Sequence, residues 1–264
     1  MQYTLKDKNI VITGASSGIG EKIAQNVASL GARPILLARS ADKLQQICEE
    51  INQTLNAKAI YFPLDVGNPN EIRTVFHQIY AEVGFIDILL NNAGFGVFDY
   101  LNEASFEDIE KMFQVNVLGL IACTKEVLPT MLEQNSGHII NTASIAGKLA
   151  TAKSSGYSAT KHAVLGFTNS LRMELAKTNI SISAVNPGPI ATNFFAIADK
   201  SGNYVKNVEK YMLTADEVAH EVTKLMMKPK REINLPNWMN WGNKLYQLFP
   251  KTADKVMGKM FDKK

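Results

Sequence analysis

Short β-branched or aliphatic runs alternate with longer amphipathic segments along nearly the whole chain, and this alternation admits few folds. Segments 9–13, 34–38, 59–64, 86–90, 138–143, 180–185 and 233–235 read as strands. Segments 18–30, 41–55, 69–83, 106–134 and 156–178 read as helices, as does a stretch running from Thr214 to Met227. Gly31 supplies a stop for the first helix. Asn68-Pro69 starts the third, and Thr214-Ala215-Asp216-Glu217 has the spacing of a capping box. Strands that alternate with helices in this way form a parallel sheet. The expected fold is therefore α/β: a Rossmann-like, doubly wound parallel sheet of about seven strands with helices on both faces. The 264 residues suit one large domain, with no internal repeat and no break in composition.

The first strand runs into Thr13-Gly14-Ala15-Ser16-Ser17-Gly18-Ile19-Gly20, which opens the first helix. Glycines let the main chain approach a pyrophosphate, and the helix N-terminus supplies N–H donors and positive potential. The spacing is G-x-x-x-G-x-G rather than the commoner G-x-G-x-x-G, but the strand-to-helix context is the one a dinucleotide site requires. The end of the second strand bears on which dinucleotide. An acidic residue there would take both ribose hydroxyls of NAD, and this chain has Arg39 followed by Ser40. A guanidinium binds a 2′-phosphate that a carboxylate would repel, so NADP (NADPH) is the expected cofactor.

Tyr157 and Lys161 stand one helical turn apart, and Ser144 lies thirteen residues before Tyr157. Moving a hydride to or from a carbonyl carbon requires a proton to move at its oxygen. A tyrosine, which titrates near 10 when free, can serve if a neighbouring ammonium pulls that value down. The i, i+4 spacing puts both groups on one helix face. A serine at the end of the preceding strand can hold the substrate oxygen against the phenol. With eight tyrosines in the chain the pair alone would mean little. The ordered set of glycines, serine, tyrosine and lysine carries the argument.

With that set the chain resembles the short-chain dehydrogenase/reductase family, from Lys6 to about Pro236. Gly14, Gly18 and Gly20 match the family's glycine motif, with Ser16, Ser17 and Ile19 in the same segment. Asp65 matches the residue that contacts the adenine ring, and Val66 beside it is a further cofactor contact. Asn91-Asn92-Ala93-Gly94 matches the segment after the fourth strand that supports the sheet and borders the cofactor. Asn116 matches the asparagine that completes the catalytic set with Ser144, Tyr157 and Lys161; in the family its main-chain carbonyl holds a water joining the lysine to a proton relay. Pro187-Gly188, with Thr192, matches the segment bordering the nicotinamide, and Arg39 resembles the NADP-preferring members. The resemblance implies an NADP(H)-dependent oxidoreductase that interconverts a carbonyl and an alcohol. It also implies a catalytic domain over residues 1–236, a substrate loop at about 190–215, and a homodimer or homotetramer. The alternative is an NADP-binding regulatory or scaffold protein without turnover, against which the intact catalytic set argues.

The substrate-side loops supply Phe95, Phe98, Ile145, Leu149, Phe194 and Phe195, an apolar list that favours a hydrophobic substrate over a sugar. Residues 199–212, rich in polar residues and glycine, are expected to form a lid. His138 and His162 are not expected to be catalytic, and no His/Cys/Asp cluster suggests a metal. Cys48 and Cys123 are expected to be buried reduced thiols. Residues 1–8 are polar and no window of about 18 residues is continuously apolar, so neither a signal peptide nor a membrane span is expected, and the cytoplasm is the expected compartment.

Residues 237–264 form a basic amphipathic extension. Residues 228–264 hold nine Lys/Arg and three Asp/Glu, a net charge of +6 that leaves −3 for the rest. Trp238, Trp241, Leu245, Leu248 and Phe249 recur at helical spacing, and Val256, Met257, Met260 and Phe261 continue the apolar face. The extension could be a lid, a subunit contact or a membrane-surface helix, which would make the protein peripheral to a membrane. The charge is too modest and interrupted for nucleic acid.

Overall fold

The computed structural model describes residues 4–149, 151–199 and 202–251. Val256, Met257, Met260 and Phe261 therefore lie outside the described residues, as do the side chains of Trp241 and Leu245. Seven strands form one sheet, all neighbours parallel: β1 (Asn9–Thr13), β2 (Arg33–Ala38), β3 (Ile60–Pro63), β4 (Ile88–Asn91), β5 (Gly137–Thr142), β6 (Ile180–Pro187) and, late in the chain, Glu232–Leu235. A separate pair, β7 (Ile190–Ala191) with β8 (Leu213–Thr214), makes Glu232–Leu235 strand β9. The spatial order is β3-β2-β1-β4-β5-β6-β9. The order reverses between β1 and β4, and the crevice at that switch point is where open α/β sheets bind ligands.

Alternate residues of each strand face opposite layers. Ile10, Ile12 and Leu36 pack with α1 (Gly18–Ser29), α2 (Ala41–Leu55) and α9 (Ala215–Met227), through Ile23, Val27, Leu44, Ile51 and Val222. Val11, Ile35, Leu37 and Leu89 pack on the other face with α3 (Pro69–Val83), α5 (Leu120–Gln134) and α6 (Ser155–Glu174), through Phe76, Ile79, Val127, Met131 and Leu171. Phe76 is fully buried, and truncating a ring so placed costs about 3–5 kcal/mol. Both cysteines are buried and unpaired.

Several helix ends follow from local chemistry. Asn68 caps α3 by accepting from the amides of Asn70 and Glu71, with Pro69 at the first position. Thr214 and Glu217 form the reciprocal capping box of α9. Gly31, past the end of α1, adopts φ +80°, as a left-handed terminator does.

Two expectations need correction. Segment 106–134 is not one regular helix: α4 (Phe106–Phe113) and α5 are joined by a π-helical turn over Gln114–Gly119. The turn lets Gly119 approach Val66, whose carbonyl oxygen would lie only 2.2 Å from a β-carbon there. This composite helix, Phe106–Gln134, is also long and apolar enough by length and composition to cross a membrane, although its apolar face packs on the sheet. Strand β4 starts at Ile88 rather than residue 86, because the Asp87 carboxylate takes the Asn9 amide at 2.9 Å and the Lys8 ammonium at 2.7 Å.

The expected substrate loop, about 190–215, contains α7 (Phe194–Ala198), and the part of it expected to be a lid, 199–212, contains α8 (Asn203–Val208) and a 3₁₀ turn at Glu209–Tyr211. After β9 the extension begins with α10 (Met239–Leu248).

Candidate active site

The glycine turn, Arg39, Asp65, Asn92–Gly94, Ser144 and Pro187–Gly188 stand at or just past the carboxyl ends of β1 to β6, around the switch point. Gly14 (φ +67°) and Gly18 (φ +59°) turn the chain from β1 into α1. A β-carbon on Gly14 would lie 2.9 Å from Ala93 Cα, and one on Gly20 would lie 2.3 Å from Gly14 O. Neither position accepts any side chain, so main chain alone faces the crevice. Thr13 locks this turn to the segment after β4: its Oγ1 accepts from the amides of Asn92 and Ala93 at 2.9 and 3.0 Å. Asn92 Nδ2 returns bonds to the carbonyls of Thr13 and Gly14. Thr192 stands across from Gly18, its Cγ2 3.4 Å from where a β-carbon would sit.

Ser16, Ser17 and Ile19 fill the same turn, with Ser17 exposed ahead of the first residue of α1. Arg39 is exposed directly after β2, and Ser40 precedes α2. Asp65 and Val66 follow β3. One oxygen of Asp65 accepts from the Gly67 amide at 2.8 Å, and Val66 packs against the π turn. The glycine cradle and the helix N-terminus together fit the pyrophosphate of a dinucleotide, and the Arg39 guanidinium stands exposed at the rim.

On the other side of the switch point, Ser144 follows β5 and opens a 3₁₀ turn, Ile145–Gly147, by accepting from Ala146 N at 3.1 Å. Its hydroxyl donates to the Pro187 carbonyl at 3.4 Å and stands close enough to the Tyr157 phenol to act on its titration. Tyr157 and Lys161 share the inner face of α6, the ammonium 5.7 Å from the phenol ring centroid. Lys161 Nζ donates to the Thr142 carbonyl at 2.9 Å. Asn116, carried by the π turn, clamps Phe95 by both main-chain groups, at 3.0 and 2.8 Å, and donates to Thr160 Oγ1 at 3.1 Å.

The electrostatics depart from the expectation for Tyr157. Burial pushes its phenol above the ordinary tyrosine value, with the nearby Ser144 side chain acting in the opposite direction. Burial likewise pulls Lys161 down to about 8. Desolvation of both groups thus outweighs the helping ammonium that the spacing promised.

The substrate side is built of rings. Tyr157 lies 5.7 Å, centroid to centroid, from both Phe98 and Phe194, and Phe195 and Tyr204 close the cluster at 5.3–5.4 Å. A β-carbon on Gly96 would meet Phe194 Cζ at 2.9 Å and Tyr157 Cδ2 at 3.0 Å, so the absence of a side chain there lets the rings close. Ile145 and Leu149 are buried beside Ser144, whereas Phe95 meets the site through its main chain. Gly188 accepts no side chain freely either, with Met239 Sδ of α10 3.1 Å from its would-be β-carbon.

The sequence reading missed two features. Tyr204 sits in a polar stretch with no periodic signal. A buried amide ladder links Thr124, Asn91, Asn141 and Thr168 across β4 and β5 at 2.9–3.1 Å; Asn91 and Asn141 stand opposite each other in register. Two asparagines at the ends of apolar runs were its signal. His138 pairs with Ser183 inside the sheet and His162 with the carbonyl of Ser158 in its own helix, both away from the site. Among the described residues no group of His, Cys, Asp or Glu could hold a metal.

A family model described as short chain dehydrogenase matches residues 8–201. The chain belongs to the short-chain dehydrogenase family. An uncharacterized oxidoreductase of Staphylococcus saprophyticus is 39% identical over 188 residues, covering 71% of this chain and 80% of that protein. Among solved structures of short-chain dehydrogenases and their relatives, an alcohol dehydrogenase of the archaeon Thermococcus sibiricus, complexed with 5-hydroxy-NADP, superposes with a TM-score of 0.79. It is 30% identical and covers 87% of this chain and 96% of its own. A short-chain dehydrogenase/reductase of Burkholderia phymatum in complex with NAD gives a TM-score of 0.86 at 26% identity, covering 94% and 95%. This short-chain dehydrogenase is thus similar to proteins that hold either nicotinamide dinucleotide.

Proposed function

We propose that this protein is an NADPH-dependent reductase of apolar carbonyl compounds, or equally a dehydrogenase of the matching alcohols. The observation that carries the reading is the placement of Tyr157 and Lys161 on one face of α6, the ammonium 5.7 Å from the phenol ring and Ser144 at the end of β5 beside them, under a roof of aromatic rings. When bound across the switch point, the dinucleotide supplies or receives the hydride. Ser144 holds the substrate oxygen, and Tyr157 gives that oxygen its proton as negative charge develops there. The buried phenol stays protonated at neutral pH, which is the form carbonyl reduction needs. Lys161 places positive charge next to the proton path, and Asn116 fixes the loop carrying Gly94 and Phe95 against α6. Gly14, Ser16, Ser17, Gly18, Ile19, Gly20, Asp65, Val66, Asn92, Ala93, Gly94, Pro187, Gly188 and Thr192 form the dinucleotide cleft. Arg39, with Ser40, selects the 2′-phosphate. The apolar character of Phe98, Ile145, Leu149, Phe194 and Phe195 excludes polyols, because their hydroxyls would lose water without gaining partners.

Residues 1–236 act as the catalytic domain and 237–264 as an appendage. Exposed Phe106, Leu118 and Met173, on the helices beside the site, are suited to a homo-oligomer contact.

NADPH absorbance followed over a panel of aromatic ketones, aliphatic aldehydes and sugars tests the reading. Aromatic or long aliphatic carbonyls should turn over and sugars should not. Tyr157→Phe, which removes only the hydroxyl, should lower kcat by ~10²–10⁴-fold with cofactor affinity nearly unchanged. Retention of more than a tenth of the rate would refute Tyr157 as the proton donor.

A further inference from the structure

We propose that the surface formed by the substrate loop and the start of the C-terminal extension docks on an anionic phospholipid bilayer. Tyr211, at the end of the loop, and Trp238, just before α10, pack edge to face with centroids 6.4 Å apart, yet each is 59% exposed. At the far end of α10, Leu248 and Phe249 are 72% and 57% exposed. Large apolar side chains displayed to water at both ends of one short helix call for a covering surface.

The charge pattern says what covers them. No acidic residue occurs between positions 233 and 253, the stretch that holds Trp238, α10, Lys244 and Lys251. The loop adds Lys206 and Lys210, both exposed, against one exposed acid, Glu209. Tryptophan and tyrosine settle at the headgroup level of a bilayer, and lysines near them gain from anionic phosphates. A second copy of this chain is disfavoured as the occupant, since a two-fold contact would set the same basic patch against itself. The protein's own site does not absorb these groups either, because Trp238 and Tyr211 remain mostly in water while contacting each other. Met239, next to Trp238, packs over Gly188, so the docked face borders the mouth of the crevice. Docking there would bring the substrate entrance to the lipid surface. The inference stands whether or not the cofactor and substrate assignments do, because it rests on exposure and charge alone.

Sedimentation of the full chain with vesicles tests it directly. Vesicles of phosphatidylglycerol and phosphatidylcholine should carry the protein down, pure phosphatidylcholine should not, and about 0.5 M salt should release most of it. Lys206→Glu with Lys210→Glu should lower the partition at least about tenfold, since each lysine near an anionic surface contributes roughly a factor of five. Trp238→Ala with Phe249→Ala should weaken binding comparably, and tryptophan emission of the wild type should shift to the blue with the anionic vesicles. Circular dichroism melting checks that each variant is folded. The proposal is overturned if the full chain ignores anionic vesicles at low salt. It is also overturned if both folded variant pairs bind like wild type. A drop in particle mass by light scattering in the Trp238/Phe249 variant, with vesicle binding unchanged, would assign the face to a second copy instead.

Discussion

On the β1–β4 side of the crevice, a single added carbon collides with main chain: at Gly20 it would lie 2.3 Å from the Gly14 carbonyl oxygen, and at Gly14 it would lie 2.9 Å from Ala93 Cα. On the β5–β6 side, a carbon added at Gly96 meets the rim of Phe194 and the edge of Tyr157. The first half of the site is shaped by backbone tied down through Thr13 and Asn92, the second by rings resting on one another. Backbone held by several hydrogen bonds cannot yield to a new atom. A ring on a short helix such as α7 can turn or shift. The cofactor side should therefore be intolerant of change, and the substrate side open to repacking and to new specificities.

Substitutions can break that contrast. Gly20→Ala is expected to have the largest effect. The methyl group cannot be accommodated without unseating the glycine turn, so affinity for NADPH should fall more than about a hundredfold, with a lowered Tm. Isothermal titration and thermal melting would read both. Arg39→Asp comes next. It leaves the main-chain cradle intact and alters only the exposed side chain at its rim. The NADPH to NADH affinity ratio should fall roughly 10–150-fold, the worth of a charge-assisted contact. An unchanged ratio would mean that Arg39 does not reach the phosphate.

Gly96→Ala sharpens the comparison from the other side. Phe194 can move, so cofactor affinity should stay within about threefold while KM shifts about tenfold, in line with a modest overpacking cost. If Gly96→Ala harmed cofactor binding as Gly20→Ala does, the two halves would not differ in the way described.

The smallest expected effect is one of pH. Burial lowers Lys161 to about 8 in the folded protein, against an ordinary value of 10.5. A base depressed by folding costs stability while it must be charged, so the cost is fully present below about pH 8 and fades as pH rises towards 10.5. Without cofactor, the stability gap between Lys161→Met and wild type should therefore narrow, in favour of wild type, between pH 7 and 9.5. Denaturant midpoints of the two proteins, compared at each pH, would reveal it. A gap independent of pH would place the ammonium in a better solvated setting than the structure gives it.

The sequence made the sheet legible because its strands are apolar runs with helices of the right period between them, and because Gly31, Asn68 and the Thr214–Glu217 box mark helix ends by local chemistry. The π turn at 114–119 was hidden: weak helix formers such as Val115, Asn116 and Gly119 do not by themselves distinguish a π turn from an α-helix, and the widening answers a contact with Val66 about fifty residues away. The two-residue pairing of β7 with β8 was hidden for the same reason, since a ladder that short has no period of its own. Glycines, Ser144, Tyr157 and Lys161 were readable as an ordered set. What they did to each other was not, because desolvation depends on the whole surrounding packing; hence the phenol moved up where spacing alone suggested down. Tyr204 was lost in a polar stretch, although Phe98, Phe194 and Phe195 were found.

The amide ladder across β4 and β5 has a consequence for assembly of the sheet. Aliphatic strands in a parallel sheet can slide past each other by two residues and still bury greasy side chains, so their register is only loosely enforced. Asn91 facing Asn141, with Thr124 and Thr168 at either end, works as a detent. Any slipped pairing would seal bare amides in a dry interior, a cost of about 1–3 kcal/mol for each orphaned group. Only the native alignment lets them meet. The same alignment brings Gly94 from the β4 side to within reach of Lys161 on the β5 side, so a chain that settles into its detent has aligned its chemistry in the same stroke.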